Sequence, residues 1–183
     1  PRWLVRSGVF IHRRYPTGTE RPLAYTNNVL VRRAVYEQFD PPFDERLAMT
    51  GGSDGHFFRR ANAAGFRIVW IDEAVTHEHI PASRATLRWV MRRWHRVGLM
   101  GAFIERDLAT GPFVLPRLLA EAGYVGARGA GRTLLALVLG RPALARAAQD
   151  FGKTSGMIAC LLGRRSDEYR TIRELDLIES FDF

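Results

Sequence analysis

The pattern that most restricts this chain lies between Arg84 and Glu105. Leu87, Val90, Met91, Trp94 and Val97 recur there at helical spacing, and Arg88, Arg92 and Arg96, four residues apart, form a basic ridge beside them. Ser83 stands where a helix takes its N-cap. An amphipathic helix of this length must lay its apolar stripe on something, and the sequence that follows offers more helices. The apolar pattern resumes after a break at Gly111–Pro116 and predicts helices around Arg117–Gly123, Arg132–Leu139 and Leu144–Leu162. The run TLLALVLG, Thr133–Gly140, is uncharged, but it falls far short of the roughly 20 residues needed to span a bilayer. Arg128, Arg132, Arg141 and Arg146 flank it. Apolar helices edged with arginine suggest a region lying on an anionic membrane surface, with a plain helical bundle and solvated arginines as the alternative.

Charge sharpens this picture. The 183 residues carry 27 basic and 19 acidic side chains, a net charge of +8. Residues 1–83 are net +2, residues 84–170 net +9, and residues 171–183 net −3. The helical block therefore holds the whole excess, a distribution suited to nucleic acid, an anionic membrane or an anionic substrate. Hydrophobic residues make up 46% of the chain, which excludes extended disorder. Cys160 is the sole cysteine, which excludes a disulfide framework and a cysteine-based zinc site. The opening PRWLVRSGVF has neither an initiator Met nor a signal-peptide core and is expected to be the interior of a longer protein.

The first half reads as α/β. Trp3–Ile11 is expected to be a strand or irregular, and Arg13–Pro22 a loop. Leu23–Val31 is expected as a short strand entering a helix at Arg32–Phe39, which Pro41 and Pro42 stop. A helix follows Gly51-Gly52 and runs to Ala64, with Gly65 ending it. Phe66–Ile71 and Ala74–His79 read as two more strands.

Asp54 stands out chemically. It lies in MTGGSDGHFFRR with glycines on both sides, which let a ligand approach the backbone, and a carboxylate at a helix N-terminus is held as the anion by the dipole. It reads either as an exposed, ionised group in a cleft or as a helix cap. On a strand, His77 and His79 face one way, and with Asp54 and His56 they compose a set of competent metal ligands; the other reading is a strand end with solvated histidines. Asn27 and Asn28 are placed either to bind a polar ligand or to cap the following helix. Trp3, Tyr25 and Trp70 are either sugar-stacking platforms or core.

The run from Thr26 to Gly98 resembles the C-terminal part of the catalytic domain in glycosyltransferase family 2. The shared features are an Asn followed by apolar residues and paired arginines (Asn28, Arg32, Arg33), then Phe43-Asp44-Glu45. Next come the Gly-rich acidic motif at Gly51–Asp54, Ala64-Gly65-Phe66, Glu73-Ala74, and Pro81-x-x-Arg84 opening a long basic helix. The Gly-Gly-x-Asp and Pro-x-x-Arg forms are similar to those of bacterial exopolysaccharide transferases of the succinoglycan type. The resemblance implies the C-terminal, acceptor-side half of a GT-A domain over residues 1–83. A membrane-associated helical region over 84–170 and an acidic tail over 171–183 would follow it.

By that resemblance Asp54 is the general base of an inverting transfer. Asn27, Asn28, Trp70, Arg93 and Trp94 fall on the acceptor side, and His77 lies near an additional metal-facing position. The partners implied are a nucleotide-sugar donor, a polysaccharide or lipid-linked acceptor and an anionic membrane, with no nucleic acid. The implied place is the cytoplasmic face of the inner membrane, held peripherally or monotopically. A divalent metal, Mg or Mn, is expected at the departing diphosphate in the whole enzyme, but no Asp-x-Asp to hold it occurs in this sequence. Ser53 stands where the family often has Glu, and His56 where it often has Thr. Val90 occupies the Gln/Arg place of the processive Gln/Arg-x-x-Arg-Trp motif, which argues against a processive synthase. With the donor side missing, the chain alone is expected to be inactive. Two other readings compete. One is a non-catalytic basic module for anionic membrane or nucleic acid, motivated by the Arg88/Arg92/Arg96 ridge. The other is a metal-dependent hydrolase built on Asp54, His56, His77 and His79.

Overall fold

The computed structural model describes residues 1–10, 13–48 and 50–164. Two units are distinguished: Pro1–Arg14 with Thr76–Arg164, and Tyr15–Val75. The acidic tail expected at 171–183 lies outside the described residues.

The first unit is helical. It contains α1 (Arg2–Ser7), α4 (Leu87–Leu108), α5 (Val114–Leu139) and α6 (Arg141–Leu161). Thr86, rather than Ser83, caps α4, its hydroxyl accepting the Trp89 N–H at 3.1 Å. Helix α6 is central, with α4, α5 and α1 all packed on it. Its contact with α4 is backbone on backbone. A Cβ placed on Gly156 would sit 1.9 Å from the His95 carbonyl oxygen, and one on Gly152 would sit 2.5 Å from that of Met91. From the α4 side, a Cβ on Gly98 would sit 2.1 Å from the Lys153 carbonyl oxygen. The buried residues of α4 are consequently Val90, Gly98, Leu99, Met100, Ala102 and Ile104; Leu87, Met91 and Val97 of the expected stripe are exposed. Trp3, Phe10, Trp89 and Trp94 pack around Leu4, Val90 and Ala145 where α1 docks, and Arg146 donates to the Ser7 carbonyl at 2.7 Å.

Two helices expected at 117–123 and 132–139 are one continuous α5, despite Gly123, Gly126, Gly129 and Gly131 within it. Glycine inside a helix costs about 1 kcal/mol relative to alanine. Gly126 and Gly129 offset that by letting α6 approach, with Thr154 and Asp150 against them. The true break is at Gly140, whose φ of +69° turns the chain from α5 into α6. Asp150 on α6 is 1% exposed and lies between Arg128 and Arg132 of α5, each with an N···O distance of 2.7 Å.

The second unit holds α2 (Arg33–Glu37), α3 (Ser53–Ala63), a 3₁₀ turn at Glu45–Leu47, and two strands of two residues each, β1 (Glu20–Arg21) and β2 (Ile68–Val69). The strands pair antiparallel, Glu20 opposite Val69 and Arg21 opposite Ile68. The core is aromatic. Phe57 of α3 is fully buried and meets Tyr36, Phe39, Phe43 and Phe58 at centroid distances of 5.1–5.9 Å.

This architecture overturns the expected α/β class. The described residues are mostly helical, with one two-stranded sheet, and they do not form half of a GT-A domain. Trp3–Ser7 belongs to a helix, Leu23–Val31 is turn and irregular chain, and Ala74–His79 has no regular structure. The physical reason is pairing. A strand is stabilised by its neighbours, and among the described residues β2 finds only the short β1. The apolar side chains are drawn instead into the Phe57 cluster and the helix interfaces.

Candidate functional site

The glycines at 51 and 52 position Asp54. Both hold positive φ, +77° and +85°, a region that a side chain would strain. Gly52 occupies the N-cap of α3 without a side-chain cap, so Asp54 is not the cap but the acidic residue of the first turn. Its Oδ1 accepts the Gly55 N–H at 2.7 Å, and its Oδ2 accepts the Thr26 N–H at a longer 3.4 Å. The carboxylate is half-buried. Both oxygens receive a donor at the N-terminal end of α3. Each oxygen retains acceptor capacity for a further hydroxyl or N–H donor.

Thr26 brings the turn carrying Asn27 and Asn28 to this helix end. Both asparagines are exposed, but Asn28 is committed, its Nδ2 donating to the Ala74 carbonyl at 2.7 Å. Neither serves as the side-chain cap of α2, whose N-cap residue is Arg32. Trp70 follows β2, half-buried. Its ring meets Tyr15 edge-on at 5.6 Å and its Nε1 donates to Asp72 at 3.2 Å, while the Arg21 guanidinium covers the Tyr15 ring at 3.8 Å. This is a small aromatic shelf beside the β1–β2 pair.

Beneath the first turn of α3, the His56 ring is buried and lies within 4.8 Å of the Asp44 carboxylate. Asp44 caps the 3₁₀ turn, accepting the Arg46 N–H at 2.9 Å and the Arg46 guanidinium at 2.6 Å. Those contacts, Arg46 first and then the charge of His56, hold the Asp44 carboxyl down at about 2, although burial opposes the shift. Sequence reading gave Asp44 and Arg46 no role; the available signal was an aspartate two residues before an arginine at a turn.

The remaining sequence-derived residues lie in the helical unit. His77 and His79 are exposed on irregular chain, so the alternation argument that aligned them lapses. Among the described residues, neither of them, nor Asp54, belongs to a cluster of three ligand-bearing side chains, and the four-residue hydrolase constellation is not assembled in this way. Arg93 stacks over Trp89 at 5.3 Å. Trp94 packs in the bundle core, against Gly152.

Over 182 residues the chain is 32% identical to the succinoglycan biosynthesis protein ExoM of Rhizobium meliloti (strain 1021), an alignment covering 96% of this chain and 56% of that protein. The chain thus spans a little over half the length of the curated relative it matches. No family model matches the sequence, and no solved structure matches it. The similarity is therefore to a protein of exopolysaccharide biosynthesis, while the likeness to family 2 transferases rests on the motif run alone.

Proposed function

We propose that this chain is part of a glycosyltransferase of exopolysaccharide assembly, with Asp54 as the base that takes the proton from the attacking acceptor hydroxyl. The observation that carries the reading is the 32% identity to a succinoglycan biosynthesis protein across nearly the whole chain. The site chemistry is compatible with it. An inverting transfer needs a positioned carboxylate to take the acceptor's proton, and the Asp54 carboxylate is fixed by two N–H donors at a helix end. Asn27, which is exposed in the turn beside it, and the Trp70–Tyr15 shelf are proposed to contact the acceptor. Trp94 contributes packing, and Arg93 stacking on Trp89.

The donor is proposed to be a nucleotide sugar and the acceptor a polysaccharide or a lipid-linked sugar. The expected divalent metal is proposed for the whole enzyme, and the ligands foreseen from sequence do not supply its site here. The sequence has no Asp-x-Asp, and His77 is an exposed loop residue outside any three-ligand cluster. No step is routed through a metal. The test is transfer of label from a panel of radiolabelled nucleotide sugars into the organic-solvent-extractable fraction, using membranes that contain the gene product carrying this chain. Label entering that fraction only when the gene product is present supports the reading. Absence of transfer from every donor contradicts it.

A further inference from the structure

We propose that Arg21 and the Trp70–Tyr15 shelf form a subsite for a sugar that carries an anionic group, with Arg21 as the residue that selects it. The inference rests on the reading of that shelf as an acceptor contact, and adds the chemical class of sugar it takes. The shelf is built on the β1–β2 pair. Arg21 stands opposite Ile68, and Trp70 lies two residues beyond Ile68, so the three side chains share one face of the strand pair. Glu20 projects from the other face, where the Arg67 guanidinium takes its carboxylate at 2.6 Å. The acid next to Arg21 in sequence is thereby turned away from it. Trp70 is held from its backbone and its ring. Its N–H donates to the Thr19 carbonyl and its own carbonyl accepts the Gly18 N–H, both at 2.9 Å, while its indole Nε1 donates to Asp72 at 3.2 Å. The Thr17 hydroxyl donates to Glu73 and accepts the Asp72 N–H, tying the two chain segments together behind the ring. Tyr15 and Trp70 meet at 73°, so the rings make a corner rather than a stack.

The cation at this corner has donors to spare. The Arg21 guanidinium lies 3.8 Å from the centre of the Tyr15 ring, and the residue is half-buried. Contact through the π face leaves the N–H groups at the edge of the guanidinium available. Among the described residues, the Arg21 side chain has no hydrogen-bond acceptor and no carboxylate partner. Asp72 and Glu73 receive donors from Trp70 and Thr17 instead. A guanidinium held flat on a ring is a preformed fork for a carboxylate or a phosphate. The aromatic surface beside it suits the apolar face of a pyranose. A ligand that satisfies both at once is a sugar bearing a negative charge; a neutral sugar leaves the fork unused.

The test is ligand-observed saturation-transfer NMR on the gene product carrying this chain, with methyl glucoside, methyl glucuronide and glucose 1-phosphate as probes. At least one of the two anionic sugars is expected to bind about threefold to tenfold tighter than the neutral one, the scale of a charge-assisted contact at a half-buried site. Arg21→Gln is expected to bring the anionic sugars down to the neutral level while methyl glucoside binds as before. Arg21→Lys, which keeps the charge but not the fork, is expected to fall between. Trp70→Ala is expected to weaken all three. Tighter binding of the glucuronide assigns the charge to an acidic sugar, and tighter binding of glucose 1-phosphate to a sugar phosphate. The preference of the parent is read without any variant, so a substitution that disturbs folding leaves the test standing. Equal binding of neutral and anionic sugars by the parent, binding of none of them, or a preference that survives Arg21→Gln would each overturn the proposal. Binding is read without transfer, so failure here leaves the role of Asp54 standing, and failure of the transfer assay leaves this measurement standing.

Discussion

Arg132 reaches from α5 to Asp150 on α6, its Nη1 lying 2.7 Å from an Oδ2 that is shut away from solvent. With Arg128 on the other oxygen, Asp150 forms a two-armed clamp that holds the register of the two helices; the carboxylate holds the Arg128 guanidinium even more firmly protonated than usual. Removing the carboxylate leaves two arginines together, but both are partly exposed and can rehydrate. Asp150→Ala is therefore expected to cost about 2–3 kcal/mol, below the usual loss for breaking a fully buried pair. Urea denaturation checks this, and a change under 0.5 kcal/mol would show that the clamp is incidental.

The glycines of the bundle divide by what faces them. Gly156→Ala puts a Cβ against the His95 carbonyl of α4 and is expected to destabilise by about 3 kcal/mol, since neither backbone can yield. Gly131→Ala meets nothing and is expected to stabilise by about 0.5–1 kcal/mol through helix propensity. Thermal melts of the two variants check the pair; equal shifts would contradict the packing described.

Asp44 gives a pH prediction. Its folded value, about 2, lies below the ordinary 3.8, so its contribution is fully present above the ordinary value and is lost as pH falls through that value toward 2. Allowing for screening on the exposed side of Arg46, the contribution is about 1–2 kcal/mol. Arg46→Gln is expected to lower stability at neutral pH by a similar amount and to flatten the acid limb between those two values. An unchanged acid limb would mean that the pair is not coupled to folding.

Much of the helical half was legible. The 3.6-residue pattern located α4 and α6 to within a few residues, because apolar spacing survives whatever the partner is. What it missed was which face is inward. Val90 is buried while Leu87, Met91 and Val97 are not, because Gly98, Gly152 and Gly156 set the contact, and glycine carries no hydrophobic signal. The apparent gap within α5, between Gly123 and Arg132, likewise holds Gly126 and Gly129, which pack against α6. In the other half, Ile68 and Val69 were read as part of a longer strand on β-propensity, which reports a fit to neighbouring strands, and the only neighbour described is two residues long. The Gly51-Gly52-x-Asp54 turn was legible because positive φ requires glycine. The alignment of His77 with His79 was not, since it depended on a strand that does not form.

The central claim is that Asp54 is a base and not merely an anchor for the Thr26 and Gly55 amides. The most direct measurement is the rate of sugar transfer by the gene product carrying this chain with Asp54→Asn, alongside its melting temperature. The amide oxygen can still accept an N–H, so the fold is expected to hold, with the melting temperature within about 2 °C of the parent. Transfer is expected to fall by about 10²–10⁴-fold, the scale for losing a general base. Near-normal transfer by the Asn variant would contradict the account and leave Asp54 a structural residue of the α3 terminus.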